Sequence, residues 1–342
     1  MNKNKTVLVC GGAGYIGTHT TVELVQAGYD VVVLDNLSNS EKAAVEGVEM
    51  ILGKKIKFYQ IDCNDVNAMN DLFEKEQFNS IIHFAAYKAV GESVNEPLKY
   101  YNNNLQSLIV VMEMMTKHNV QNLVFSSSCT VYGQPDVLPV TEQTPRQIAT
   151  SPYGNTKQMN EDIIRDTAAV NKNLSTIALR YFNPIGALKS ALIGELPKGV
   201  PANLVPFITQ TAAGIRETLT IFGDDYNTID GTAVRDYIDV NDLAKAHVAA
   251  VDRLVEQKQK TNYEIFNVGT GNGRSVLELV KAFEKVNNLK LNYKIAPRRE
   301  GDIEKIWAET TFANEELGWT AEKTIEQTLE SAWNWEKKLR NL

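Results

Sequence analysis

Along the first half of the chain, short runs of β-branched and apolar residues recur at intervals that leave room for one helix each: Thr6-Val7-Leu8-Val9, Val31-Val32-Val33-Leu34, Ile56-Lys57-Phe58-Tyr59, Ser80-Ile81-Ile82-His83-Phe84, Asn122-Leu123-Val124-Phe125 and Leu174 to Leu179. Strands separated by helix-length segments make βαβ units, and such units assemble into a parallel, doubly wound sheet. Two later runs, Asp236 to Val240 and Glu264 to Asn267, read as strands that rejoin it. From Ser275 onward helical patterns alternate with short loops, and no repeat of solenoid period is present.

The texture changes after Asn183-Pro184. From there to about Val234 the chain gathers Gly, Pro and turn residues, as in Glu195-Leu196-Pro197-Lys198-Gly199-Val200-Pro201, which suits a loop-rich lobe covering a ligand. The expected division is a dinucleotide-binding sheet unit over 1–182, with 235–270 returning to it, and a smaller α/β substrate-binding unit built from 183–234 and 271–342.

Composition narrows the function classes. The 342 residues are 43% hydrophobic and 23% charged, enough to bury the core of one large α/β unit or of two domains. The net charge of -7, with no long basic run, gives no support to a nucleic-acid or anionic-membrane surface. The start, Met1-Asn2-Lys3-Asn4-Lys5, is basic but leads into a short strand instead of a secretory apolar segment, and no apolar run approaches the ~18 residues of a membrane span. Cys10, Cys63 and Cys129 are too few and too scattered for a disulfide framework or a zinc site, and His19, His83, His118 and His247 show no metal spacing. A reducing cytoplasm and a metal-free mechanism are the expectations.

The first strand runs directly into Gly11-Gly12-Ala13-Gly14-Tyr15-Ile16-Gly17, followed by a helical pattern through Ala27. Glycines at 11, 14 and 17 let backbone N–H groups and a helix N-terminus approach a pyrophosphate. Asp35 closes the second strand at about the 20-residue spacing of a dinucleotide fingerprint. A carboxylate there accepts hydrogen bonds from ribose hydroxyls and repels a 2′-phosphate, and Asn36-Leu37-Ser38-Asn39 brings no arginine to reverse that, so NAD is favoured over NADP.

Tyr153-Gly154-Asn155-Thr156-Lys157 places a phenol and an ammonium four residues apart, on one face of a helix. The lysine charge, with a nicotinamide cation, is expected to lower the phenol pKa from ~10 toward neutrality. Ser126-Ser127-Ser128 follows a strand at the carboxyl end of the sheet, where Ser128 could hydrogen-bond a reacting hydroxyl and share its proton with Tyr153.

With these residues in place the sequence resembles the extended short-chain dehydrogenase/reductase family over nearly its whole length, and within it the UDP-hexose 4-epimerases. Further markers are Asp35 to Ser40, His83 to Ser93, Ser126 to Gly133, Arg180 to Pro184, Gly231 to Tyr237, and Ala296-Pro297-Arg298-Arg299-Glu300-Gly301-Asp302. The resemblance implies a Rossmann doubly wound sheet, held NAD, and reversible interconversion of UDP-galactose and UDP-glucose through a transient 4-keto sugar. Its catalytic roles fall on Tyr153, Lys157 and Ser128. Its cofactor contacts fall on Gly11, Gly14, Tyr15, Ile16, Gly17, Asp35, Asn36, Leu37, Ser38, Asn39, Ser40, Asp62, Cys63, Phe84, Ala85, Ala86, Lys88, Asn103, Ser128, Tyr153, Lys157 and Phe182, with Asp62 and Cys63 near adenine. Its UDP-sugar contacts fall on Lys88, Ser128, Thr130, Tyr153, Asn183, Asn203, Phe222, Arg235, Arg299, Asp302 and Ile306. The two arginines offer the paired donors a pyrophosphate takes.

Related 4,6-dehydratases carry an Asp-Glu pair after the serine or threonine, and decarboxylating relatives a glutamate at the second of those positions. Here they are Cys129 and Thr130, which cannot exchange a proton at neutral pH, so epimerisation is the expected outcome. By the same resemblance Ile306 borders the sugar's C2 substituent. Its size leaves N-acetylated UDP-hexosamines open as a side activity behind glucose and galactose. The apolar faces of Leu105 to Met115 and Tyr153 to Ala169 suit a homodimeric four-helix bundle, though a core helix explains the stripe equally well. A non-catalytic NAD(H) sensor and a simple dehydrogenase are the competing readings.

Overall fold

The computed structural model describes residues 5–299 and 301–342. Met1 to Asn4 of the basic start, and Glu300 of the Ala296–Asp302 motif, lie outside the described residues.

Seven parallel strands form the central sheet, in spatial order Tyr263–Val268, Ser175–Tyr181, Asn122–Ser126, Ser80–His83, Thr6–Cys10, Asp30–Leu34 and Lys57–Tyr59. The apolar runs of the first half all become strands here, with ends moved by a residue or two. Alternation along each strand feeds two cores. Val7, Val9, Val31 and Val33 face Val22 and Leu24 of helix Tyr15–Gln26 and Leu243, Ala246 and Leu254 of helix Val240–Val255. Leu8, Val32, Ile81 and Leu123 face Leu108 and Val111 of helix Pro97–Lys117 and Ile164 of helix Pro152–Val170. Burying each such side chain stabilises the fold by about 1.5–3 kcal/mol.

The chain starts mid-sheet, moves outward to Lys57–Tyr59, then crosses to the other side of Thr6–Cys10 to lay down Ser80–His83. That reversal opens a crevice at the carboxyl ends of Thr6–Cys10 and Ser80–His83, the place where open α/β sheets bind ligands.

One expectation fails. The run read at Asp236 to Val240 does not rejoin the central sheet. Strand Val234–Asp239 instead pairs with Asn183–Ile185, Gly273–Ser275 and Lys305–Ile306 in a separate four-stranded sheet. The edge beside Ser175–Tyr181 is filled by Tyr263–Val268, and Asn183–Ile185, arriving just past Tyr181, offers the free partner. Local pattern marks a strand; its neighbour is decided by long-range packing. Leu219–Phe222 pairs with Tyr293–Ala296, and Ile185, Val205, Ile208, Leu219, Leu279, Phe283 and Leu329 make a third core under these smaller sheets. No helix among the described residues is long and apolar enough to cross a membrane.

Candidate active site

The glycine loop sits where strand Thr6–Cys10 meets helix Tyr15–Gln26. Gly11 has φ +78°, and a Cβ there would meet the Ala85 backbone nitrogen at 2.7 Å; at Gly17 a Cβ would meet the Gly11 carbonyl at 2.5 Å. These glycines let two backbones and a helix close up against one another. Gly14 caps the helix without a side-chain acceptor, so its first-turn N–H groups stay open to an anion.

Asp35 ties the second strand to this loop. Its Oδ2 accepts the Ala13 N–H at 3.1 Å, and its Oδ1 accepts the Leu37 N–H at 2.9 Å and the Ser40 hydroxyl at 2.7 Å. A carboxylate has about four acceptor positions, so capacity remains for a ribose hydroxyl. Asp62 accepts from the Asn36 amide at 2.9 Å and the Asn64 N–H at 2.8 Å, which shapes the wall beside Cys63.

A cleft of about 610 Å³ runs from this wall to Tyr153 and Lys157. It is lined by Gly11, Gly14, Tyr15, Ile16, Gly17, Asp35, Asn36, Ser38, Asn39, Ser40, Asp62, Cys63, Phe84, Ala85, Ala86, Lys88 and Asn103. The glycine cradle, the ribose carboxylate and the size of the cleft fit a dinucleotide. Leu37 instead packs against the core, and Phe182 is buried with Cys129 and Ile306.

The far wall of the cleft comes from Gly194 to Asn203. The Glu195 carboxylate receives Lys88 Nζ at 3.1 Å and the Asn203 amide at 2.6 Å, while Lys198 Nζ reaches across to the Leu37 and Ser38 carbonyls at 3.0 and 3.2 Å. This strap fastens the loop that follows Asp35. Two exposed hydrogen bonds are worth about 1 kcal/mol together, so Lys198→Ala should quicken release of bound dinucleotide by roughly 2- to 10-fold. An unchanged release rate, followed by the fluorescence of the reduced cofactor, would remove the strap from cofactor retention.

Ser151 and Pro152 start the helix that carries the phenol: Pro152 fits its first turn, and Ser151 Oγ accepts the Gly154 N–H at 3.2 Å. Lys157 is buried, donates to the Ser126 carbonyl at 2.6 Å and sits 4.9 Å over the Phe125 ring and 5.9 Å from the Tyr153 ring centre. Burial pulls its pKa down to about 8, while the Glu161 carboxylate four residues on acts to raise it. For Tyr153 the protein's own groups act against the expected fall, which counted a nicotinamide cation beside the lysine. Burial pushes the phenol up, the neighbouring Tyr181 adds to this, and a hydrogen bond from Ser128 only eases it. The expectation counted charge and left out desolvation, and the lysine's proton is already engaged by Ser126.

Ser128 Oγ accepts the Thr130 N–H at 3.2 Å, and the Thr130 hydroxyl is buried with no partner among the described residues, a polar atom free for a ligand. Burial raises the Cys129 thiol to about 12, so it cannot serve as an acid or base in place of a carboxylate.

Behind these groups lies a network that motif reading missed. Glu161 accepts the Ser127 hydroxyl at 2.6 Å and a two-pronged contact from Arg180 at 2.9 and 2.6 Å, and Arg180 also donates to the Tyr132 hydroxyl at 3.0 Å. Asn104 joins the Tyr87 backbone to Thr156 at 3.1 Å. Arg180 was detectable: a charge inside the apolar strand Ser175–Tyr181 must have a buried partner.

The substrate-lobe residues lie beyond the cleft, except Lys88, Tyr153 and Asn203, which line it. Arg235 donates to the Val234 and Ile303 carbonyls at 2.9 and 2.7 Å. Arg299 pairs with Asp302 at 2.8 Å and lies 5.8 Å over the exposed Phe222 ring. Ile306 is fully buried and stands opposite Arg235 across paired strands, and Asn183 opposite Tyr237.

Residues 8–332 match the family model described as GDP-mannose 4,6 dehydratase. The chain is 50% identical over 331 residues to the UDP-glucose 4-epimerase of Haemophilus influenzae, covering 97% of each chain. It matches the structure of UDP-glucose 4-epimerase from Bifidobacterium longum in complex with NAD+ and UDP at TM-score 0.95 and 49% identity, over 98% of this chain and 99% of that one. The Stenotrophomonas maltophila UDP-glucose-4-epimerase with bound NAD and formylated UDP-arabinopyranose also gives 0.95, at 45% identity and coverage of 98% and 99%.

Proposed function

The chain belongs to the UDP-glucose 4-epimerases of the extended short-chain dehydrogenase/reductase family, and from that premise we propose how its own residues carry the reaction. It is an NAD-dependent enzyme that interconverts UDP-galactose and UDP-glucose. The observation that supports the residue roles is that Tyr153, hydrogen-bonded to Ser128, lines with Lys157 the cleft that also holds the glycine cradle and Asp35, without a carboxylate at 129 or 130.

Bound NAD supplies a reversible hydride acceptor, and its positive ring favours an ionised phenol nearby. Tyr153 takes the proton of the sugar O4, with Ser128 bridging, and Lys157 holds the resulting charge distribution in a dry pocket. The 4-keto sugar turns while its UDP stays anchored, and Tyr153 then returns the proton to O4 on the other stereoisomer. Arg235, Arg299 and Asp302 hold the UDP by exchanging their present internal bonds for pyrophosphate and nucleoside contacts, and Phe222 flanks them. Thr130 and Asn183 meet the sugar hydroxyls. With Ile306 walled into an apolar cluster, glucose and galactose are the preferred pair.

Residues 1–182 with 235–270 serve as the NAD-binding unit, and 183–234 with 271–342 as the UDP-sugar unit; the separate core of the smaller sheets supports this, although strand Val234–Asp239 belongs to the smaller side. Helices Pro97–Lys117 and Pro152–Val170 lie side by side and leave Leu98 and Met159 exposed, which supports a homodimeric four-helix bundle. Sedimentation should give twice the chain mass; a monomer at micromolar concentration rejects it. The reducing cytoplasm is the proposed compartment.

The deciding assay mixes purified protein with UDP-galactose and no added NAD. UDP-glucose should form catalytically, and kcat/KM should exceed that for the N-acetylated pair. Product that appears only with stoichiometric NAD would instead mark a dehydrogenase, and no reaction in either case a sensor.

A further inference from the structure

Spacing along the chain argued against a metal site, yet the fold brings three scattered donors together. Cys10 and His83 end neighbouring parallel strands and stand opposite each other in the register, so their side chains leave the same face of the sheet. Cys63 arrives from the loop after Lys57–Tyr59. The ligand atoms of all three lie within 4.8 Å of one another, and all three residues are buried. The Cys63 thiol is hydrogen-bonded to Cys10. His83 Nε2 lies 3.4 Å from the Ser107 hydroxyl, while its Nδ1 has no partner among the described residues. A buried imidazole nitrogen left unpaired is unusual enough to require an explanation. Spacing rules detect ligands that share one loop; these come from strand ends that only the folded sheet brings together.

We propose that Cys10, Cys63 and His83 bind one thiophilic divalent cation of the zinc and cadmium type at the adenine end of the cofactor cleft. Two thiols and an imidazole select soft or borderline ions over magnesium or calcium, which require oxygen ligands. On binding, both thiols release their protons to solvent, and two thiolates with a divalent ion leave a neutral centre. Neutrality matters among the apolar neighbours Leu8, Leu34 and Ile81, whereas a monovalent copper ion would leave a net charge buried. Cys63 also lines the cleft, which gives the ion a path inward from that side. Its place is beside Asp62 and behind the catalytic end, since His83 stacks on the Phe125 ring at 6.2 Å and Lys157 Nζ lies 4.9 Å over that ring, and no step of the reaction described above uses it.

The test titrates reduced protein, with its cofactor retained, against cadmium. One equivalent should saturate an ultraviolet thiolate-to-metal band of two-thiolate intensity, and cadmium-113 NMR of the unaltered chain should give one resonance in the range for two sulfurs and a nitrogen. Cys10→Ala and Cys63→Ala should each lose about half the band and weaken binding on the order of 100-fold. His83→Gln should weaken binding yet keep the band, and Cys129→Ala should alter neither. The proposal is overturned if the unaltered chain shows no stoichiometric band, if Cys129→Ala removes it, or if the thiols of Cys10 and Cys63 are lost to a disulfide before metal binds.

Discussion

Tyr153→Phe is expected to lower kcat by at least about 10³-fold while bound NAD stays in place. The substitution removes one oxygen and leaves the glycine cradle, Asp35 and the Glu195–Lys88 strap unaltered. What disappears is the phenol hydrogen-bonded to Ser128, and its neighbours in the chain cannot replace it, since Cys129 is held at about 12 and Thr130 does not ionise. Turnover of UDP-galactose and the NAD content of the purified variant decide it together. Turnover near that of the unaltered protein would strip Tyr153 of its role; loss of NAD along with activity would show that the phenol holds the cofactor.

Glu161→Gln should be the most damaging change outside the cleft. It keeps shape and a hydrogen bond for Ser127 but leaves the buried Arg180 without its counter-charge, which costs about 3–5 kcal/mol. That is a large share of the ~5–15 kcal/mol that holds a domain folded, so the denaturant midpoint should fall markedly. A second effect separates positioning from mere stability. Lys157 must be charged to act; it is charged below about pH 8 and neutral above, so turnover declines as pH rises through that value. The Glu161 charge acts to raise the Lys157 pKa, and without it the alkaline decline should move to lower pH. Pairing Glu161→Gln with Arg180→Met removes the stranded cation and should restore much of the stability, while the displaced pH profile persists. A restored profile in that double variant would mean that the pair is structural only.

How much of this was legible in the sequence depended on range. The seven central strands and the glycine loop with Asp35 were readable, because each is written in residues close together in the chain. Asp236 to Val240 was correctly seen as a strand and wrongly assigned to a sheet, because its partner Asn183–Ile185 is chosen by which edges remain open. Tyr153 and Lys157 were found from their shared helix face, while the opposing effect of burial on the phenol is a property of the packed site that no helix face shows. Glu161 and Asn104 escaped, and Arg180 stood only as a family marker without its partner, because spacing does not show which residue holds another. The proximity of Cys10 and Cys63 was hidden in the same way: they are neighbours only after three strands have been laid side by side.

The strap from Gly194 to Asn203 has a consequence for how the protein is made. Lys198 fastens the loop at Leu37 and Ser38, and Trp335 from the last helix donates to the Glu195 carbonyl at 2.9 Å, so the cofactor chamber formed early in translation is walled in by residues that leave the ribosome late. A nascent chain can present the glycine cradle long before it can shut it. Cofactor capture is thereby coupled to synthesis of helix Ile325–Arg340, and a chain cut short of that helix is left with an open chamber.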